Sequence, residues 1–303
     1  MGAGHGHGPA TEHAGGRYRN RLAAAFVLTA AFFAVELGVG LASGSLALIS
    51  DAGHMAADVV ALGASLVATR IARRPDRSGR RTYGSYRAEV FASGLTVLIM
   101  LGVGGYVLLE GIRRIGQAPE VAPGAMLVVG FLGLAINVAS LLLLRGGSKE
   151  ALIVRGAYFE VIADAAGSVG VMVAGVLIIV TGEPMWDVVV AVAIAIFVMV
   201  RAVVLGRQVL AVLGQHAPDG IDPEAVAASL DAVVGVAQVH DVHLWALTSG
   251  MNVATAHLVA APQADHHQVL DKARDVLRDR FAIAHATLQV EPGDHEGCQD
   301  LTW

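Results

Sequence analysis

Six long apolar runs, separated by short polar breaks, occupy the first two thirds of the chain. They cover residues 22–42, 46–69, 88–112, 122–144, 151–181 and 185–206. A helix needs about 20 largely apolar residues to cross a bilayer, and each run meets that length. The breaks carry turn-forming or charged residues, as in the arginine-rich stretch 70–81. The pattern predicts an all-α domain of six transmembrane helices over residues 22–207, preceded by a flexible, histidine-containing arm at residues 1–21.

The apolar pattern shortens after Arg207 and predicts a different kind of domain. Helical patterns cover residues 223–234 and 265–281, and strand patterns cover residues 236–247, 251–260 and 284–291. Thr248-Ser249-Gly250 separates the first two strands, which is typical of a hairpin. The order helix, strand, strand, helix, strand predicts a small α+β domain over residues 208–291, with a tail at residues 292–303.

The composition agrees with a membrane protein and excludes several other classes. Only 16% of residues are charged, 55% are hydrophobic and the mean hydropathy is +0.60. Soluble domains carry roughly 25% charged residues, so we expect the apolar excess to be covered by a lipid bilayer. The single cysteine excludes a disulfide framework or a multi-cysteine zinc module. The net charge of -5 argues against nucleic acid as a partner.

The basic residues are unevenly distributed among the predicted loops. The N-terminal arm, the second and fourth loops and the exit from the last span hold 13 of them, whereas the odd-numbered loops hold only Arg113 and Arg114. Because short cytoplasmic loops are enriched in Lys and Arg, both termini are predicted to be cytoplasmic. We expect the location to be the inner (plasma) membrane of a bacterium. Residues 208–303 carry a net charge of -9 and eight of the twelve histidines.

Ionisable residues inside two of the spans point to the chemistry of the protein. The second run contains Asp51, His54 and Asp58, and the fifth contains Glu160 and Asp164. A carboxylate at the centre of a span costs roughly 2.5–3.5 kcal/mol on insertion scales. Positions i and i+4 share a helix face, so His54 pairs with Asp58, and Glu160 pairs with Asp164.

Two facing pairs would supply one imidazole nitrogen and three carboxylates, enough for a four-coordinate divalent cation. Asp51 lies on much the same face as His54, at an entrance position or behind the ligands. The alternative is a set of buried hydrogen-bonding groups that hold the helices together. We favour a metal site of His54, Asp58, Glu160 and Asp164, because a bound dication offsets the cost of burying these charges. Metal ligands must be deprotonated, so metal and protons would exchange at such a site.

Four segments of the sequence resemble motifs of the cation diffusion facilitators, the metal–proton antiporters. They are Ser45-Leu46-Ala47-Leu48-Ile49-Ser50-Asp51-Ala52-Gly53-His54 followed by Asp58, Tyr83-Gly84 with Arg87-Ala88-Glu89, Arg155-Gly156-Ala157-Tyr158 with Asp164-Ala165-Ala166-Gly167-Ser168-Val169, and Val239-His240-Asp241-Val242-His243-Leu244-Trp245. The resemblance covers nearly the whole chain. It implies a homodimer, not an enzyme, that exports Zn²⁺ or a similar ion from the cytoplasm in exchange for protons.

The resemblance also implies site residues and a cytoplasmic fold. His54, Asp58 and Asp164 match the transport ligands of the family, whereas Glu160 stands where zinc-exporting relatives usually have His. The domain after residue 207 is expected to be ferredoxin-like and dimerising, with His240, His257 and His285 as the candidate ligands of a regulatory metal. No prosthetic group is expected; the metal ion is substrate and, in the cytoplasmic domain, a possible regulatory ligand.

Several alternatives remain open at this stage. An oxygen ligand from Glu160 makes the site harder, so Mn²⁺ or Fe²⁺ is an alternative to Zn²⁺, Cd²⁺ or Co²⁺. A metal channel is a more remote alternative, and so is an intramembrane metalloenzyme. The metalloenzyme is disfavoured because the sequence has no His-Glu-x-x-His run.

Overall fold

The structure is a computed structural model that describes residues 12–72, 80–117, 120–145 and 152–293. Six long helices come first: α1 (Glu12–Ser43), α2 (Leu46–Ala72), α3 (Ala88–Arg114), α4 (Pro123–Leu144), α5 (Leu152–Thr181) and α6 (Met185–Leu213). The remaining elements are α7 (Pro223–Asp231), β1 (Val236–Thr248), β2 (Met251–Ala260), α8 (His266–Phe281) and β3 (His285–Glu291). All eleven predicted elements are present, in the predicted order.

Five of the six long helices are long and apolar enough to cross a membrane: α1 from Phe26, α3, α4, α5 from Glu160, and α6. Helix α2 is not among the spans found in the described part of the chain. It carries Asp51, His54 and Asp58 within its first half. The chain is therefore an integral membrane protein with a helical transmembrane domain.

Helices α1 and α6 extend furthest beyond their predicted bounds. Helix α1 begins at Glu12, so residues 12–21 of the expected flexible arm are helical, whereas residues 1–11 lie outside the described part. Helix α6 continues to Leu213, past the predicted end at 206. A hydropathy pattern reports where lipid covers a helix, but adding one more turn to an existing helix requires only modest propensity. The predicted tail at residues 292–303 is described only for residues 292 and 293.

The chain divides into two compact units. One contains the chain up to Leu66 together with Gly94–Leu205, and the other contains Val67–Ser93 and the chain from Gly206 onward. In the first unit α4 packs against α1 and α5. Its core includes Phe32, Leu46, Met55, Val107 and Met126, each at most 3% exposed.

Helix α2 begins at a buried carboxylate supplied by another helix. Asp187, in the first turn of α6, is fully buried and accepts hydrogen bonds from the hydroxyl of Ser45 (2.6 Å) and from the backbone amides of Leu46 (2.6 Å) and Ala47 (3.1 Å). The first amides of a helix have no partner within it, and a negative charge there is favourable. Asp187 therefore fixes the start of α2, and with it the position of His54 and Asp58 two to three turns later.

The second unit contains a three-stranded sheet in the order β1-β2-β3. β1 and β2 are antiparallel and β2 and β3 are parallel, with α8 as the crossover between the parallel strands. Helix α8 starts at the N-cap Asp265, whose carboxylate accepts hydrogen bonds from the amides of His267 and Gln268. The apolar sides of α7 and α8 cover the sheet, with Leu230 of α7 and Leu277 of α8 in one core with Leu258 of β2.

Candidate metal centres

Three side chains from α2 and α5 converge inside the membrane domain. The Nε2 atom of His54 lies 3.7 Å from Oδ2 of Asp58 and 3.4 Å from Oδ1 of Asp164. His54 and Asp58 are one helical turn apart on α2, and Asp164 comes from the facing α5. The side chains of His54 and Asp164 are 3% and 4% exposed, and that of Asp58 is 15% exposed.

The converging atoms form a donor set that fits a divalent cation. One potential ligand atom from each of the three residues lies within 4.8 Å of the others. Within the described part of the chain, Oδ2 of Asp58 and Oδ1 of Asp164 are buried and have no hydrogen-bond partner. Buried carboxylate oxygens normally have a partner, and one nitrogen with two oxygens is a donor set that Zn²⁺ and related ions accept. These three predicted residues are thus brought together as a metal site requires.

Glu160, the expected fourth ligand, has a different partner. It lies one turn before Asp164 on α5, but both of its carboxylate oxygens accept hydrogen bonds from Nη2 of Arg201, at 2.6 and 2.5 Å. Its ligand atoms do not join the cluster of His54, Asp58 and Asp164. The geometry therefore departs from the expected four-residue set, because the guanidinium attracts the Glu160 carboxylate.

Arg201 is the residue of this region that the sequence reasoning missed. Its position at the end of the sixth run predicts only a cytoplasmic basic residue. Its Nη1 atom lies 3.0 Å from Nε2 of His54, while Nη2 binds Glu160. The signal that would have found it is its place inside α6, since an arginine within an apolar span is a candidate functional residue by default.

Asp51 lies close to the cluster in sequence but outside it in space. Its side chain is buried and faces Gly167 of α5, where an added Cβ would overlap the Asp51 carboxylate. Since Gly167 is three residues after Asp164, the missing side chain allows α2 and α5 to approach at the depth of the metal ligands. Asp51 therefore stands behind the cluster, at the contact of the two helices that carry the ligands.

A second cluster of potential ligands lies on the sheet of the other unit. His240 on β1 and His257 on β2 are cross-strand partners, with ring centroids 5.2 Å apart. Glu291, the last residue of β3, places Oε2 3.7 Å from Nε2 of His240 and Oε1 3.0 Å from Nδ1 of His257. Together these three residues can hold a metal ion, with potential ligand atoms within 4.8 Å of one another.

Asp241 adds a further carboxylate beside this cluster. It has a positive φ of 52° and lies in the bulge of β1 between His240 and His243. A β-bulge re-aims a side chain, and here the Asp241 carboxylate lies 3.7 Å from Nε2 of His257 and 2.8 Å from Nε2 of His243. The bulge thus gives the sheet cluster a negative neighbour.

His285 does not belong to the sheet cluster, contrary to our expectation. In the parallel pairing of β2 and β3, His285 is opposite Val253, whereas Gln289 is opposite His257 and Glu291 opposite Val259. Four residues along a strand span about 13 Å, so His285 is too far from His257 to share an ion. Its ring instead packs edge-on against Tyr83 at 5.6 Å between centroids. Glu291, and not His285, is the third residue of the sheet cluster.

Comparison with known proteins finds a related family for each part of the chain. The family model described as the cation efflux transmembrane domain matches residues 22–213, and the model described as the cation efflux protein, cytoplasmic domain, matches residues 218–293. Together they cover nearly the whole chain.

Three curated relatives illustrate the similarity. The metal cation efflux system protein CzcD of Cupriavidus metallidurans is 40% identical over 292 residues, which cover 96% of this chain and 90% of the relative. The cadmium, cobalt and zinc/H(+)-K(+) antiporter of Bacillus velezensis is 33% identical, with 96% and 93% covered. The zinc transporter ZitB of Pectobacterium atrosepticum is 34% identical, with 92% and 87% covered.

The matches extend over both units and over most of the relatives' own length. They confirm the resemblance read from the four motifs, and they identify a transporter rather than an enzyme. The chain belongs to the cation efflux family, the cation diffusion facilitators.

Proposed function

We propose that this protein exports Zn²⁺ from the cytoplasm in exchange for protons, through a site built on His54, Asp58 and Asp164. The observation that carries the proposal is the convergence of one imidazole nitrogen and two carboxylates from α2 and α5, with two buried oxygens that lack a hydrogen-bond partner in the described part. The names of the relatives, which include zinc, cadmium and cobalt transport, support this choice of substrates.

The exchange follows from the chemistry of the ligands. Both carboxylates and the Nε2 atom of His54 must be free of protons to bind a metal ion, so metal binding releases protons and proton uptake releases the metal. A site that faces the two sides of the membrane in turn therefore couples inward proton flow to outward metal flow. Rocking of helix groups around a fixed site is the usual means in secondary transporters.

The proposed order of metals is Zn²⁺ first, with Cd²⁺ and Co²⁺ as further substrates. Mn²⁺ or Fe²⁺ is the second candidate, since Glu160 adds an oxygen ligand if it turns toward the metal. The ion pair of Glu160 with Arg201 favours the first choice, because it withdraws that oxygen from the three-residue set.

Purified protein in liposomes tests the proposal. Under an imposed pH gradient, zinc uptake and opposite proton movement are followed with a metal-sensitive and a pH-sensitive dye. Asp164→Asn should abolish both fluxes, whereas Asp231→Asn, at an exposed position on α7, should leave them unchanged. Zinc flux that does not depend on the pH gradient would indicate a channel.

Retained coupled flux in Asp164→Asn would exclude the proposed site. A wild-type series with Zn²⁺, Cd²⁺, Co²⁺, Mn²⁺ and Fe²⁺ gives the selectivity.

We also propose that His240, His257 and Glu291 bind a regulatory metal ion in a dimerising, ferredoxin-like cytoplasmic domain. The three ligand atoms and the additional carboxylate of Asp241 support the site. The match to the family's cytoplasmic domain supports the domain assignment. A homodimer with six spans per chain predicts twice the chain mass in light scattering of the detergent-solubilised protein.

The orientation is proposed from the distribution of basic residues, with both termini in the cytoplasm of a bacterial inner membrane. Cys298 is the single cysteine of the chain and provides a natural label. A membrane-impermeant maleimide should label it in inside-out vesicles and not in sealed right-side-out vesicles. The reverse result would contradict the orientation.

A further inference from the structure

Arg201 contacts the same atom of His54 that the transport site needs. The Nη1 atom is 3.0 Å from Nε2 of His54, and the same guanidinium binds both oxygens of Glu160 through Nη2. Arginine has only donors and stays charged in proteins. Nε2 of His54 is therefore the acceptor, and its one lone pair is directed at the guanidinium.

That lone pair also has to make the bond to a metal ion. Nε2 is the imidazole atom that faces Asp58 and Asp164, at 3.7 and 3.4 Å. A single lone pair cannot accept a hydrogen bond from Arg201 and coordinate a metal at the same time. Metal binding at His54 and the contact with Arg201 therefore exclude each other.

The charges around the site lead to the same relationship. When the ligands are deprotonated, Asp58, Asp164 and Glu160 contribute three negative charges and Arg201 contributes one positive charge. The sum is a charge of -2, which a divalent cation neutralises. Without Arg201 the same side chains would carry a charge of -3. When no metal is bound, the Arg201 guanidinium supplies the positive charge and contacts His54 and Glu160.

We infer that Arg201 is a built-in competitor of the transported metal: its guanidinium binds His54 when the site has no metal and withdraws to Glu160 alone when the metal binds. The inference rests on the proposed transport site and adds a residue of α6 to it. Arg201 is a positioning residue that lowers the affinity of the site and speeds release of the ion. Glu160 holds the guanidinium within reach in both states.

A purely structural role makes a different prediction. If the ion pair only holds α5 and α6 together, loss of Arg201 should lower thermal stability and either weaken metal binding or leave it unchanged. A competitor, by contrast, gives tighter binding when it is removed. The direction of the change in affinity therefore separates the two roles.

The test is a metal titration of the full-length protein in detergent, with Cd²⁺ or Zn²⁺ as the probe. All variants carry His240→Ala and His257→Ala so that only the membrane site is titrated. Arg201→Gln should lower the Kd by about tenfold, which is on the scale of coupling between neighbouring charged groups. Arg201→Lys keeps the charge and should stay closer to the wild type. Arg207→Gln removes an exposed arginine from the same helix and is the matched control.

The double variant Glu160→Gln, Arg201→Gln distinguishes two effects on metal affinity: competition for the lone pair of His54 and the net charge of the site. It restores the charge of -2 while leaving His54 free of the guanidinium, so its Kd should be at or below that of the wild type. In liposomes, Arg201→Gln should lower both KM and kcat, because tighter binding slows release. This split is not expected of a variant that is merely less stable.

Two outcomes overturn different conclusions. An unchanged or higher Kd in a folded Arg201→Gln variant, together with loss of binding in Asp164→Asn, would overturn the competitor role and leave the proposed function intact. If Asp164→Asn binds the metal as tightly as the wild type, the proposed transport site itself fails. Should Arg201→Gln not fold, Arg201→Lys and the double variant carry the test: both binding more weakly than the wild type would also overturn the inference.

Discussion

The carboxylate of Asp187 accepts a 2.6 Å hydrogen bond from the hydroxyl of Ser45, although the two residues are 142 positions apart in the chain. The same carboxylate caps the first amides of α2, and Arg114 places Nη1 3.9 Å from it. The helix that carries two of the proposed ligands thus begins at a carboxylate of α6. The stability of this contact therefore affects the geometry of the metal site, because α2 connects the two.

Asp187→Ala should destabilise the membrane domain. The substitution leaves buried amides and a hydroxyl without their acceptor, at a cost of about 3 kcal/mol. Thermal unfolding in detergent should show a Tm several degrees lower. The decrease should be smaller for Ser45→Ala, which removes one of the three donors to Asp187 and the acceptor of the Leu48 amide. A Tm equal to that of the wild type in Asp187→Ala would show that α2 does not depend on this cap.

Gly167→Ala should weaken metal binding without a change in any ligand. A Cβ at this position overlaps the Asp51 carboxylate, so α2 and α5 must separate near Asp164. Changes just behind metal ligands commonly cost about 10–100-fold in affinity. Gly170→Ala on the same helix is the control, because its Cβ would meet Val190 at an ordinary 3.5 Å. Equal Kd values for the two variants would contradict the close approach of the helices.

Glu291→Gln and His285→Ala should have different effects on zinc binding at the cytoplasmic cluster. In a background of Asp58→Asn and Asp164→Asn, Glu291→Gln should weaken zinc binding by about tenfold or more, since it removes a ligand charge. His285→Ala should leave binding unchanged, because His285 lies opposite Val253 and not His257. Isothermal titration of the full chain measures both. The reverse pattern would support the original assignment of His285.

The N-cap of α8 predicts a pH-dependent stability of the second unit. Hydrogen bonds from the amides of His267 and Gln268 lower the pKa of the Asp265 carboxyl. A carboxyl with a lowered pKa in the folded state stabilises the fold above its unfolded pKa of about 3.9, and the contribution is lost as the pH falls through the folded pKa. Asp265→Asn should therefore lower the Tm at pH 7 but have less effect as the pH falls below about 4. A difference that does not change with pH would contradict this.

Local patterns predicted the elements well, because each depends on nearby residues. The apolar run 88–112 became α3 (Ala88–Arg114), and the spacing of four residues placed His54 and Asp58 on one face. The extra turns of α6 were missed because hydropathy marks the bilayer and not the helix. The sequence was a poorer guide to which residues face each other across neighbouring helices and strands.

Two residues show this limit for the sites. Arg201 reaches His54 across the interface of α6 with α2, and no spacing within the sequence encodes the reach of a long side chain. Glu291 replaces His285 in the sheet cluster because the register of β2 and β3 decides which residues meet. His285 and Glu291 are an even number of residues apart, so they lie on the same face of β3. The alternation of apolar positions repeats every two residues and therefore cannot tell which of them meets His257.

The sheet cluster takes one residue from each of the three strands: His240 from β1, His257 from β2 and Glu291 from β3. A tight turn joins β1 to β2, and the α8 crossover joins β2 to β3. An ion held by all three side chains would therefore link both outer strands to the central strand. A ligand that binds only the folded state raises the free energy of unfolding, and the effect grows with the ligand concentration. The cytoplasmic domain would then be most resistant to unfolding and proteolysis when the cell holds the most metal, so the lifetime of the exporter would follow its cargo.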